Sequence, residues 1–180
     1  MESYVALLRA VNVAKTGSLR MADLRRTVEA LGYGAVRTWL QSGNVTFESR
    51  AADRARLERA LEQRLSAEVG VTTDFLVRRR AEWRRVLEGN PFPQEAIDDP
   101  AHVTVLVLKR PPAPPAWTAL TAAVPGRERV VPADEHAYIY FRDGIGTSRL
   151  TTALLERKLG VRGTVRNWNT VRKLGELVGA

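Results

Sequence analysis

Between Tyr4 and Val77 the apolar residues change spacing in a set order, strand, helix, strand, strand, helix, strand, and few folds accept that order. Tyr4–Val11 is a nearly continuous apolar run broken by Arg9, the pattern of a buried strand. Met21, Leu24, Val28 and Leu31 recur at helical spacing, and Gly32 suits the helix end. Val36–Gln41 and Val45–Glu48 flank Ser42-Gly43-Asn44, a hairpin signal. Leu57, Leu61 and Leu65 form one stripe of a helix over Arg54–Val69, and Thr72–Val77 reads as the closing strand. This is βαββαβ, the split βαβ of ferredoxin-like domains.

A helix over Arg79–Glu88 follows, and Asn90-Pro91-Phe92-Pro93 with Asp98-Asp99-Pro100 reads as a break, because proline removes donors and restricts its predecessor. The order then begins again. Val103–Leu108 is a strand, and Pro111–Pro115 leads into a helix around Ala116–Ala123. Arg129–Ala133 and Ala137–Arg142 read as paired strands, Ser148–Leu159 as a helix, Thr164–Arg166 as a short strand and Thr170–Val178 as a last helix. The expected fold is α+β, with two ferredoxin-like (βαββαβ) halves, residues 1–98 and 99–180. Each half is a mainly antiparallel sheet with helices on one face, and the second adds a C-terminal helix. The two halves share an element order without a convincing sequence repeat.

The 180 residues contain no cysteine, which excludes disulfides, thiolate nucleophiles and sulfur-ligated metal. The run Val103–Leu108 is too short to cross a bilayer, and no basic segment followed by a long apolar one opens the chain. A cytoplasmic protein without a membrane partner is the expectation. His102 and His136, the only histidines, have no metal-ligand spacing, and there is no Gly-x-Ser-x-Gly elbow. No cofactor or metal is expected. Asp98 with Asp99 and Asp134 with Glu135 read as solvated turn residues, and Arg78-Arg79-Arg80 with Arg84-Arg85 as a solvated charge run.

The net charge of +8 matters less than where it lies, since 24 arginines against four lysines also fit GC-rich coding. Residues 1–100 carry 16 basic and 14 acidic side chains, residues 101–180 carry 12 and 6. From Arg142 to Lys173 eight Arg or Lys face two acids, Asp143 and Glu156. Within that stretch Gly144 and Gly146 let the backbone turn, Thr147 or Ser148 can cap the next helix, and Arg149 stands beside it: either an anion site or an ordinary capped turn. The lysine and spacing of a Walker loop are absent. Arg166-Asn167-Trp168-Asn169-Thr170 offers base- and phosphate-type contacts; Trp168 reads instead as an anchor of the last helix, while Asn167 and Asn169 stay open between ligand contact and helix cap.

Tyr138, Tyr140 and Arg142 share one strand face, as do Arg37, Trp39 and Gln41 in the first half. Such faces either stack bases, as in RNA-recognition domains, or bury against each other in a duplicated protein; the second reading leads.

Leu8–Val13, Thr38–Phe47, Asn90-Pro91-Phe92-Pro93, Asp143–Thr151 and Thr164–Val171 together resemble, in order, the bacterial family called domain of unknown function 1697. The resemblance spans essentially the whole chain. It implies a compact α+β fold of two ferredoxin-like halves and a cytoplasmic protein, with no established activity. Where that family tends to read Arg-Gly-Ile-Asn-Val-Gly-Gly, this chain has Arg9-Ala10-Val11-Asn12-Val13-Ala14-Lys15, with alanine for glycine at Ala10 and Ala14.

Taken together, Arg9, Asn12, Gln41, Asn44, Gly144, Gly146, Thr147, Ser148, Arg149, Arg166, Asn167 and Asn169 form the expected ligand site, placed in a basic cleft between the halves. The expected function is non-catalytic binding of a phosphate-bearing ligand, nucleic acid or nucleotide. The alternatives are an enzyme acting on a phosphorylated small molecule through arginine electrostatics, and a scaffold whose basic face meets an acidic protein partner.

Overall fold

The computed structural model describes residues 1–11 and 19–180. The chain divides into two compact units: Met1–Glu88 together with Lys173–Ala180, and Gly89–Arg172.

In the first unit, β1 (Glu2–Leu8), α1 (Met21–Glu29), β2 (Gly34–Trp39), β3 (Asn44–Ser49), α2 (Arg54–Val69) and β4 (Phe75–Arg79) follow the expected order. The strands form an antiparallel sheet ordered β2-β3-β1-β4. Alternation puts Tyr4, Ala6 and Leu8 on the face covered by Leu24 and Val28 of α1 and Leu57, Leu61 and Leu65 of α2. Phe47 stacks between Tyr4 and Tyr33, with ring centroids 5.4 and 4.9 Å away. Asp53 caps α2 by accepting from the amides of Ala55 and Arg56. The hairpin after β2 turns at Gly43, whose φ is +76° and where a Cβ would stand 2.8 Å from Leu8 Cβ; only glycine lets the turn lie this close against the end of β1. α3 (Arg80–Glu88) packs on β1 and β4.

β4 lies at the sheet edge, where outward amides invite another strand. Those amides are taken. Glu62 Oε1 accepts from Phe75 N at 2.9 Å, Glu58 Oε1 from Val77 N at 2.9 Å and Glu82 Oε2 from Arg79 N at 2.7 Å. Arg78 corrects an expectation: it is not solvated but 3% exposed, and its guanidinium donates to the outward carbonyl of Val77 at 2.8 Å.

The second unit repeats the plan. It holds α4 (Pro93–Asp98), β5 (Val103–Leu108), α5 (Pro114–Ala122), β6 (Arg129–Pro132), β7 (His136–Tyr140), α6 (Thr152–Leu159), β8 (Gly163–Asn167) and the start of α7 (Trp168–Val178), whose residues from Lys173 belong to the first unit. The sheet order β6-β7-β5-β8 is the same as in the first unit, first strand central and last strand at the edge. Leu106, Leu108, Ala137, Ile139 and Phe141 pack against Leu120 of α5 and Leu155 and Leu159 of α6. The segment Pro93–Asp98, read from sequence as part of a break, is helical because Pro93 sits in the first turn, where its missing N–H leaves nothing unsatisfied.

α4 is pinned to the sheet by Arg129, which pairs with Glu95 and lies over the rings of Phe92 (4.6 Å) and Tyr140 (5.2 Å). Tyr138 is buried, and that burial pushes its phenol up to about 12. Among the described residues no helix is long and apolar enough to cross a membrane.

Candidate functional site

The turn after β7 is built by its backbone. Gly144 has φ +93° and ψ 149°, a region essentially reserved for glycine, while a Cβ there would come no nearer than 3.6 Å to another side chain, His102 Nε2, an ordinary contact. Backbone twist rather than space selects the glycine. Gly146 has no positive φ and open space around it. Ile145–Thr147 then form one 3-10 turn, and α6 starts only at Thr152.

The expected cap is therefore corrected: Thr151, not Thr147 or Ser148, accepts from Leu154 N at the head of α6. Thr147 Oγ1 instead donates to the carbonyls of Asp143 (2.9 Å) and Gly144 (3.3 Å), closing the turn on itself. Ser148 Oγ accepts from Leu150 N at 3.0 Å and donates to Glu128 Oε1.

These bonds leave a pocket of about 180 Å³ lined by Gly144, Thr147, Ser148 and Arg149 from the turn, with Arg127, Glu128 and Asp143 opposite. Arg127 grips Asp143 with two donors, Nε to Oδ2 at 2.9 Å and Nη2 to Oδ1. This fork holds the Asp143 carboxyl below its ordinary value, with Arg142 adding to the effect. Glu128 is tied through Oε1 to Ser148, while its Oε2 is buried without a hydrogen-bond partner. Arg149 is exposed and, among the described residues, has no carboxylate partner. The lining charges balance, two arginines against two carboxylates, and among the described residues Arg149 is the one of the four without a charged or hydrogen-bonded partner. Below the turn, His102 Nδ1 lies 2.5 Å from Asp99 Oδ2, a contact that becomes an ion pair when the imidazole is protonated.

The remaining expected residues are placed as follows. Arg166, on β8, is 7% exposed and donates to Thr164 Oγ1 (2.6 Å) and Val165 O (2.9 Å); burial pushes its guanidinium down to about 10. Asn167 caps α7 by accepting from Thr170 N at 3.0 Å, Asn169 is exposed, and Trp168 is 7% exposed, anchoring the helix. In the first unit Arg9 is half-buried, with its backbone held by Asp74 and Thr73. Gln41 is exposed in the hairpin loop, and Asn44 is fully buried, with Nδ2 donating to Trp39 O (2.7 Å) and Ser42 Oγ (3.0 Å). Asn12 lies outside the described residues. The structure thus joins Gly144, Thr147, Ser148 and Arg149 in one pocket and gives Asn44 and Asn167 local structural bonds. Sequence reasoning missed Arg127 and Glu128. Extending the β6–β7 register, in which Arg129 faces Tyr140, by two residues sets Arg127 against Arg142, next to Asp143.

Residues 1–138 match the model of a family described as "Protein of unknown function (DUF1697)", a span that ends before the Gly144 turn. No curated protein matches the chain. Among solved structures, the conserved bacterial protein SP0830 from Streptococcus pneumoniae matches with a TM-score of 0.76 at 21% sequence identity, over 98% of this chain and 98% of that one. At that identity the likeness is one of fold.

Proposed function

The chain belongs to the DUF1697 family, and we propose that it is a non-catalytic binding protein for a phosphate-bearing ligand, held at the Gly144–Arg149 turn. The observation that carries this reading is Arg149: an exposed guanidinium on the rim of a pocket, with no carboxylate partner among the described residues. Arg157, Lys158 and Arg172 are likewise exposed and without such a partner among the described residues, so these three cations keep their charge available. A pocket of about 180 Å³ is smaller than the roughly 300–1,000 Å³ of sites that enclose a whole small molecule. It fits one group of a ligand, and the phosphate of a nucleotide is the reading that suits the free guanidinium.

Thermal shift with nucleoside monophosphates, sugar phosphates, single-stranded RNA and duplex DNA at two salt concentrations tests the proposal. A mononucleotide is expected to raise Tm saturably, and Arg149→Ala to weaken that response by about tenfold or more. A response to duplex DNA alone, falling with a log–log salt slope of about −0.9 per phosphate, would make the ligand a polymer. Turnover of a phosphate ester would make the protein an enzyme, and identical shifts in wild type and Arg149→Ala would remove the turn from the site.

A further inference from the structure

We propose a second anion site, in the first unit, where Tyr4, Ser49, Arg50 and Arg79 line a pocket of about 360 Å³ suited to a phosphate monoester. Sheet register creates it. Glu2 faces Ser49 and Tyr4 faces Arg79, so the start of β1, the end of β3 and the end of β4 meet at one end of the sheet.

Side chains then fix the loop that walls this end. Ser49 Oγ accepts from Ala51 N at 3.1 Å, Tyr4 Oη donates to Ala51 O at 2.7 Å, and Arg79 Nη2 donates to Ala52 O. The loop is therefore held before any ligand arrives, which lowers the entropic cost of binding. Burial raises the Tyr4 phenol, so it stays neutral beside the cations.

The electrostatics differ from those of the turn pocket. Among the described residues the Arg79 guanidinium meets a carbonyl and the Tyr4 phenol but no carboxylate, and Arg50 is exposed with no carboxylate partner. The nearby carboxylate of Glu82 is held by Arg54 and by the backbone amide of Arg79. Glu2 is the single acid in the lining, against Arg50 and Arg79. Two guanidiniums sharing one pocket repel each other until an oxyanion sits between them, and a phosphate offers three oxygens to both forks.

This pocket and the turn pocket have no lining residue in common, and one titration separates the two. Amide chemical shifts are followed while inorganic phosphate replaces chloride at constant ionic strength. The amides of Ser49–Ala52 are expected to move along a saturable curve. Arg50→Gln, which removes an exposed side chain with no hydrogen bond or ion pair among the described residues, should weaken that curve about fivefold or more, and Arg50→Lys by less. Arg149→Ala should leave it unchanged. Shifts confined to 143–149, or an Arg50→Gln curve that overlays the wild type, would overturn the proposal.

Discussion

Arg127 holds Asp143 in a two-pronged pair on the lining of the turn pocket, Nε to Oδ2 at 2.9 Å and Nη2 to Oδ1, so the pocket's second guanidinium is already bound by its own chain. Under the proposed function, an incoming phosphate would compete with a resident carboxylate for Arg127 and would meet Arg149 without competition.

Removing the competitor gives the first prediction. Asp143→Asn leaves Arg127 without its charge partner and shifts the pocket by one unit toward positive. Phosphate affinity at low salt should rise, by up to about fivefold for a charge pair this exposed, and the gain should fade as salt is added. Titration calorimetry of the variant against wild type measures it. Weaker binding in Asp143→Asn would mean that the ligand needs the carboxylate.

Acid stability follows from the same pair. Arg127 lowers the Asp143 carboxyl, and Arg20, joined by Arg26, lowers that of Asp23. A carboxyl depressed on folding stabilises fully above its unfolded value near 4 and loses that contribution as pH falls through the folded value. Tm should therefore show no loss from these two groups between pH 7 and about 5, and should fall below about 4. The double variant Asp23→Asn with Asp143→Asn should melt lower at pH 7 and lose less on acidification. Parallel acid curves for variant and wild type would contradict this.

Two glycines in one turn should respond unequally. Gly144→Ala forces a side chain into a backbone region costing about 1–3 kcal/mol, whereas Gly146→Ala meets open space at an ordinary φ and should stay within about 0.5 kcal/mol. Urea midpoints of the two variants check the contrast.

Ala10 sits at φ +51° with its side chain exposed. Ala10→Gly should relieve the left-handed strain, partly offset by the greater freedom of the unfolded chain, for a net gain of about 0.5 kcal/mol. A lower urea midpoint would show that Ala10 contributes contacts exceeding its strain.

The strand and helix periods made the fold legible. The helix Arg54–Val69 is where the leucine stripe puts it, and both sheets follow from βαββαβ order. What escaped was decided by neighbours distant in sequence. Arg78 reads as part of a basic run, yet strand alternation carries it to a buried face. Pro93 reads as a stop although it opens α4. In the turn pocket Gly144 and Arg149 were visible as a local motif. Arg127 and Glu128 were not, because their place depends on the register of a hairpin.

The carboxylates lodged along β4 have one further effect. A sheet grows when a stranger's backbone finds a free row of amides, and along this margin Glu58, Glu62 and Glu82 fill the row in advance. The N-terminal unit thus ends as a capped stack does, and fibril-like self-templating from this margin would first have to pry three glutamates loose.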